Sequence, residues 1–299
     1  MIGIFDSGIG GFTVVREMMR RMPEYQLLYF GDTARTPYGN KGAETIKQYA
    51  VEDAEFLLSG GAKIIVIACN TVSAVAYNYL CEKFPNVPIF EVITPAAEAA
   101  ARATKNGRIG VIGTRATIGS GIYEQKIKNL NPKSEARNPK QIQNPNDQNS
   151  KRFENLDFSN SDLSRISNFE FRIFSVPCPL FVPLVEEGWL DAKETKQIIR
   201  KYLYPLKQSR IDTLILGCTH YPLIKNVIRG KIGRKVIVVD SAEEVVGKIL
   251  AYLQNHPEID KNLIRGSDHQ FFVSDLTPAT ESTVKKWLGQ NIKLNIAKL

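Results

Sequence analysis

The sequence predicts an α/β protein made of two doubly wound domains with parallel-rich sheets and a functional cleft between them. Three observations predict it. Short β-branched apolar runs alternate with longer amphipathic stretches from the first residues onward. Two of those runs, Ile64-Ile65-Val66-Ile67-Ala68-Cys69-Asn70-Thr71 and Thr213-Leu214-Ile215-Leu216-Gly217-Cys218-Thr219-His220, stop at a cysteine and turn polar. Buried parallel strands read this way where they deliver side chains to the carboxyl end of a sheet, and ligand sites of open α/β folds lie at that end. The pattern also restarts: Arg108-Ile109-Gly110-Val111-Ile112-Gly113-Thr114 resembles Gly3-Ile4-Phe5-Asp6-Ser7, an apolar run followed by a small hydroxyl residue in a turn.

Taken in order, Ile2–Phe5 is a short strand, and a turn through Gly8, Gly10 and Gly11 leads to a helix over Phe12–Met22 that stops at Pro23. Tyr25–Gly31 is a second strand. Ala43–Ser59 is a long amphipathic helix closed by Gly60-Gly61. Lys63–Ala68 is the strand leading to Cys69, Val72–Lys83 is helical, and Ile89–Val92 is another strand. In the second half Phe171–Val176 and Thr213–Leu216 are strands, and Lys235–Val239 ends at Asp240-Ser241. The first domain covers 1–94 and regains the chain at 242–299, while the second covers 95–241. Residues 131–168 break the rhythm with eight Asn, six Ser and only seven apolar residues in 38 positions. Such a segment buries too little surface to offset its ordering entropy and is expected to be a mobile polar insertion.

Composition narrows the function classes. At 299 residues, 43% hydrophobic and 23% charged, the chain is ordinary for a globular protein with a large core. No stretch reaches the roughly 18 apolar residues of a membrane helix. The N-terminus enters a strand without the basic segment of a signal peptide, so a cytoplasmic location is expected. Four cysteines with no CxxC pair make neither a disulfide framework nor a zinc site, and no metal is expected. Cys81, in a helix, is a packing residue. The net charge of +8 gathers late: positions 200–299 hold 16 Lys/Arg against 9 Asp/Glu. Lys225, Arg229, Lys231, Arg234 and Lys235 run without an intervening acid, which reads as a solvated face that attracts anionic metabolites. A nucleic-acid contact is the sharper reading, but no recognition motif accompanies it.

Asp6-Ser7-Gly8-Ile9-Gly10-Gly11 lacks the lysine of a GxxxxGK[ST] phosphate loop, and Asp6 and Ser7 at the strand exit spoil a dinucleotide GxGxxG. Its glycines still let backbone N–H groups approach a carboxylate at a helix N-terminus. Asp6 is either a helix cap or a residue that orients or relays protons for a strand-end thiol. A single buried Cys is more often inert than catalytic. Two with matching flanks reverse that balance and suggest a pair of acid/base groups facing one substrate. Asn70, Thr71 and Thr219 offer donors and acceptors for a small polar ligand. His220, two positions after Cys218, is an acid or base partner near neutrality, and Asp6 plays the matching part for Cys69 if the loops converge. Thr36-Pro37-Tyr38-Gly39 is a turn presenting a Tyr hydroxyl and backbone amides. The apolar stretch from Cys178 to Gly188 closes in Glu186 and Glu187, either a surface pair at a helix end or a source of one acid drawn toward His220.

On these residues the chain resembles the cofactor-independent glutamate racemases of the aspartate/glutamate racemase superfamily. The matching segments are FDSGIGGFTV (5–14), GDTARTPYG (31–39), ACNT (68–71), GVIGT (110–114), CPLFVPLVEEG (178–188), LGCTHYPL (216–223) and VDSAE (239–243). GCTHYPL is the most discriminating, because aspartate racemases carry an acid where His220 stands. The resemblance implies two pseudo-symmetric α/β domains with the active site in the interdomain cleft. It implies that Cys69 and Cys218 are the two bases on opposite faces of the substrate α-carbon, with Asp6 assisting Cys69, and His220, backed by Glu186, assisting Cys218. Asp6, Ser7, Tyr38, Gly39, Asn70, Thr71, Thr219 and His220 are implied to hold the amino and carboxylate groups of L- or D-glutamate. No cofactor is implied. The resemblance further implies a homodimer that supplies D-glutamate for peptidoglycan. Inhibition of DNA gyrase, reported within the family, has no supporting motif here. The 131–168 insertion departs from the family, whose members are typically shorter there.

Overall fold

The computed structural model describes residues 1–130, 170–289 and 292–298, so the polar insertion expected over 131–168 lies outside the described residues. Strand β1 (Ile2–Asp6) is followed by helix α1 (Phe12–Arg21), β2 (Leu27–Gly31), α2 (Ala43–Ser59), β3 (Ile64–Ile67), α3 (Asn70–Lys83) and β4 (Ile89–Glu91). Helix α4 (Ile93–Ala103) leads into β5 (Arg108–Gly113), α5 (Arg115–Gly119) and α6 (Ile122–Asn129). Next come β6 (Arg172–Pro177), α7 (Phe181–Glu186), α8 (Lys193–Gln208), β7 (Thr213–Gly217), α9 (Lys225–Ile232) and β8 (Ile237–Asp240). Helices α10 (Ser241–Asn255) and α11 (Pro257–Asp260) then lead to β9 (Gln270–Val273), α12 (Pro278–Leu288) and β10 (Leu294–Ile296).

Two parallel sheets result. The six-stranded sheet has the order β10-β9-β2-β1-β3-β4, and the four-stranded sheet β6-β5-β7-β8. Parallel strands need crossovers, and the amphipathic helices supply them while covering the sheet faces. Alternation along each strand separates the cores. Ile2, Ile4, Leu27, Tyr29, Ile64 and Val66 pack on one face of the larger sheet, and Phe5, Leu28, Phe30, Ile65 and Ile67 on the other. Ile109, Val111 and Ile215 likewise face away from Ile112, Leu214 and Leu216 in the smaller sheet. Both faces are therefore apolar, which is why these strands read as continuous hydrophobic runs rather than alternating ones.

The structure adjusts several expected boundaries. Strand β2 begins at Leu27; Tyr25 makes an isolated antiparallel bridge to Arg265 instead. Helix α3 begins at Asn70, two residues before its expected start, so Cys69 stands at its N-cap. Strand β8 occupies Ile237–Asp240 rather than Lys235–Val239. The C-terminal strands β9 and β10 carry no strong sequence signal, and they extend the larger sheet beyond β2.

Candidate active site

The carboxyl ends of the two sheets meet through side chains of the expected residues. At the end of β1, Asp6 Oδ2 accepts a hydrogen bond from Gly8 N at 3.1 Å, and Asp6 Oδ1 accepts one from Thr219 Oγ1 at 3.4 Å, just past β7. Thr13 Oγ1 donates to Gly10 O at 2.9 Å and lies 3.0 Å from Thr219 O. Past β3, Asn70 Oδ1 accepts from Tyr123 Oη at 2.7 Å, and Thr71 Oγ1 lies 3.2 Å from Thr114 Oγ1 and 3.4 Å from Thr117 Oγ1. Gly10 makes this approach possible. A Cβ there would stand 2.3 Å from Thr219 Oγ1 and 2.5 Å from His220 Nδ1. Any other residue would push the two lobes apart.

Each thiol has its own surroundings. Cys69 Sγ lies 3.3 Å from Ser7 Oγ, the residue after Asp6. Burial pushes the Cys69 thiol up to about 12, the Asp6 carboxylate adds to the rise, and hydrogen bonds from the Ser7 hydroxyl and the Val72 and Ser7 amides oppose it. Cys218 Sγ lies 3.8 Å from His220 Nδ1, and His220 Nε2 is 3.1 Å from Glu186 Oε1, which ends α7. Burial alone would lower the imidazole, yet its hydrogen bonds to Cys218 and Glu186 raise it to about 10. An imidazole so placed favours its charged form and can stabilise negative charge on the neighbouring sulfur. Burial pushes the Asp6 carboxyl up, while the charge of His220 and hydrogen bonds from Gly11, Gly8 and Thr219 resist. The structure thus gathers Asp6, Ser7, Cys69, Cys218, Thr219, His220 and Glu186 into one chain of contacts, with a different partner set behind each sulfur.

Asn70 adds an unsatisfied donor. Its Nδ2 is the one buried side-chain nitrogen or oxygen without a hydrogen-bond partner among the described residues. An unpaired buried amide costs about 1–3 kcal/mol, and it is a donor that a bound acceptor would satisfy.

Tyr38 and Gly39 behave differently from each other. The Tyr38 hydroxyl is buried against Asp32 and Asp53, so it is engaged with partners outside the cluster just described. Gly39 faces that cluster: a Cβ on it would lie 3.6 Å from Thr114 Cβ and 4.0 Å from Thr71 Oγ1. What the turn offers a ligand is therefore backbone. Thr13, Thr114, Thr117 and Tyr123 join the site without having been picked out from sequence. Thr114 alone left a readable signal, a hydroxyl at a strand exit capping the next helix through Thr117 N at 3.2 Å. The ring of Trp287 on α12 meets His220 edge-on at 6.4 Å. Of the basic run, Lys225 is paired with Asp240 and Glu243, whereas Arg229, Arg234 and Lys235 are exposed. Among the described residues no cluster of His, Cys, Asp and Glu suited to a metal ion occurs, and no helix is long and apolar enough to cross a membrane.

Comparison with known proteins agrees across sequence and fold. The profile of the Asp/Glu/hydantoin racemase family matches residues 13–156. A glutamate racemase of Geobacter metallireducens is 40% identical over 288 residues, 96% of this chain and 92% of that protein. The crystal structure of glutamate racemase isoform RacE1 from Bacillus anthracis superposes with a TM-score of 0.82 at 32% identity, covering 100% of this chain and 97% of the other. That of the Francisella tularensis glutamate racemase in complex with D-glutamate gives 0.77 at 32% identity, covering 99% and 97%.

Proposed function

Since the chain belongs to the glutamate racemases, we propose that it interconverts L- and D-glutamate without a cofactor, using Cys69 and Cys218 as its two bases. The observation that carries this reading is a pair of buried strand-end thiols whose flanking residues meet in the Asp6–Thr219 contact, one thiol beside Ser7, the other beside His220, which Glu186 backs.

Racemisation removes the α-proton from one face of the substrate and returns a proton to the other, so one rigid base cannot serve both. In one direction Cys218, as thiolate beside the His220 imidazolium, takes the α-proton, and the C–H electron pair stays on the α-carbon. Cys69, held as a thiol by burial, then protonates the opposite face. The reverse reaction exchanges the roles. A thiolate on Cys69 is disfavoured by burial and by Asp6, and the ammonium group of the substrate, entering beside Asp6, supplies the compensating positive charge. An amino-acid α-proton is far less acidic than a thiol, whose ordinary pKa is about 8.5. Fixed donors on the developing carbanionic carboxylate narrow that gap. Asn70 Nδ2, the Thr71 and Thr219 hydroxyls and the amides of the 38–39 turn are the donors available.

Family membership also supports the finer readings: D-glutamate made for peptidoglycan precursors, a cytoplasmic location, and a homodimer. The test of the substrate is circular dichroism on extensively dialysed protein given D-glutamate, L-glutamate, D-aspartate and L-aspartate in turn. Loss of ellipticity with both glutamate enantiomers and slower or no loss with aspartate is expected. A clear preference for aspartate would overturn the glutamate assignment.

A further inference from the structure

The loop between β2 and α2 holds a buried ionic cluster that the chemistry above leaves unused. Asp32 and Asp53 are both fully buried. The Tyr38 hydroxyl lies between them, hydrogen-bonded to Asp32 Oδ2 and 3.3 Å from Asp53 Oδ2. Asp32 is well supplied with donors: Oδ2 also accepts from Arg35 Nε at 2.5 Å, and Oδ1 accepts from Ser274 Oγ at 2.8 Å. Arg35 spreads its remaining nitrogens over Glu52 and, at 3.3 Å, Asp53 Oδ1, and stacks on Tyr49 at 4.0 Å.

A phenol has one proton, and Tyr38 gives it to Asp32. Its oxygen then faces Asp53 Oδ2, and two lone pairs at that distance repel unless one atom carries a hydrogen. Asp53 Oδ1 already accepts from Arg35, which leaves Oδ2 as the place for that hydrogen. With Asp32 and Glu52 already sharing the single Arg35, a third negative charge in the same buried cluster is unfavourable. Burial pushes the Asp53 carboxyl well above the usual range and Asp32 adds to it, with Arg35 opposing.

The turn gripped by this cluster ends at Gly39, which abuts the Thr71 and Thr114 hydroxyls. It is also fastened from the other side, where Ala34 N donates to Ser274 Oγ at 2.8 Å and Asp275 N donates to Thr33 Oγ1 at 2.8 Å. We propose that Asp53 is a positioning residue for the reaction: a carboxyl-to-hydroxyl-to-carboxylate relay from Asp53 through Tyr38 to Asp32 fixes the Tyr38–Gly39 backbone where it binds the substrate carboxylate. This inference rests on the substrate reading given under Proposed function.

Three variants test it. Asp53→Asn keeps a donor on one atom and an acceptor on the other, Asp53→Ala removes both, and Tyr38→Phe removes only the relay hydroxyl. With D-glutamate, D53N is expected to match the wild type in KM and kcat within about threefold, while D53A and Y38F raise KM by about tenfold with unchanged far-ultraviolet dichroism. The ratio of wild-type to D53N KM is expected to start near one and climb as pH rises, because Asp53 then ionises against Asp32, Glu52, Arg35, Tyr38 and Tyr29, the groups that face it. If D53N is as impaired as D53A, or if Y38F leaves KM unchanged, the relay is wrong. Should D53A fail to fold, D53N and Y38F still decide. The wild-type rate in the same assay reports separately on the racemase reading: an active wild type with an unaffected Y38F overturns the relay alone.

Discussion

Cys69 and Cys218 share a residue type and a place at the end of a strand, but not an environment. Burial and Asp6 hold the first as a thiol, at about 12, and the second faces a histidine raised to about 10. That asymmetry suits an enzyme that needs one acid and one base in each direction. Replacing either by serine substitutes a far weaker acid whose alkoxide is scarcely populated near neutrality, so Cys69→Ser and Cys218→Ser are each expected to lower kcat by about 10²–10⁴-fold. The melting temperature should change little, and dichroism-monitored racemisation with a thermal melt checks both. His220 also makes stability depend on pH. Its folded-state value lies above the ordinary 6.5, so its contribution is full below about 6.5 and is lost as pH rises through about 10. The stability advantage of the wild type over His220→Gln, from urea unfolding at several pH values, should shrink across that interval. Residue by residue the sequence named His220 and left Glu186 and Glu187 as equals, and the family resemblance pointed to Glu186. The geometry of α7 chooses, placing Glu186 Oε1 3.1 Å from the imidazole. Tyr38 shows the opposite limit. Its motif was legible, but its hydroxyl turns to Asp32 of the same segment and toward Asp53 of α2, fifteen positions away and without a local signal.

Strand exits and helix starts do the positioning at the next scale. Because α3 starts at Asn70, Cys69, Asn70 and Thr71 stand at the junction of a buried strand and a helix N-terminus, where the first amides lack intrahelical partners and the Val72 amide reaches the Cys69 sulfur. The sequence reading began this helix at Val72 because small polar residues after an apolar run read as loop; in the structure they are its first turn. The turn after β1 depends on Gly10 for space rather than for backbone freedom, since its Cβ would collide with Thr219 and His220. Gly10→Ala is therefore expected to cost about 1–3 kcal/mol of stability through overpacking. It should lower kcat/KM by about 10²-fold by displacing His220. Steady-state kinetics beside a thermal melt would show the catalytic loss exceeding what the melt implies; a fully active variant would mean the lobes part there at no cost to the site.

Over the whole molecule, the alternation of apolar runs and amphipathic helices made the parallel α/β class legible, because both sheet faces are covered and the strands are continuous hydrophobic runs. Strand β9 and the edge strand β10 beyond it were not legible; Gln270–Val273 and Leu294–Ile296 are short and only partly buried, so they lack that signature. Contacts between the lobes were the least readable, because Tyr123 and Trp287 reach their partners only through tertiary packing. Trp287 packs against core residues of both lobes and meets the His220 ring. Trp287→Ala is expected to lower stability by about 1–3 kcal/mol and to reduce kcat/KM, measured by urea unfolding and by racemisation. The proposed reaction calls on both sheets at once, a thiol from the end of a strand in each. Following the first turnovers of D-glutamate in D2O by α-proton NMR and mass spectrometry tests this most directly. Two thiols on opposite faces predict that the L-glutamate formed carries deuterium at the α-carbon while the remaining D-glutamate keeps its proton. L-glutamate that retains the original α-proton would mean that a single base carries it from one face to the other, and would contradict the account.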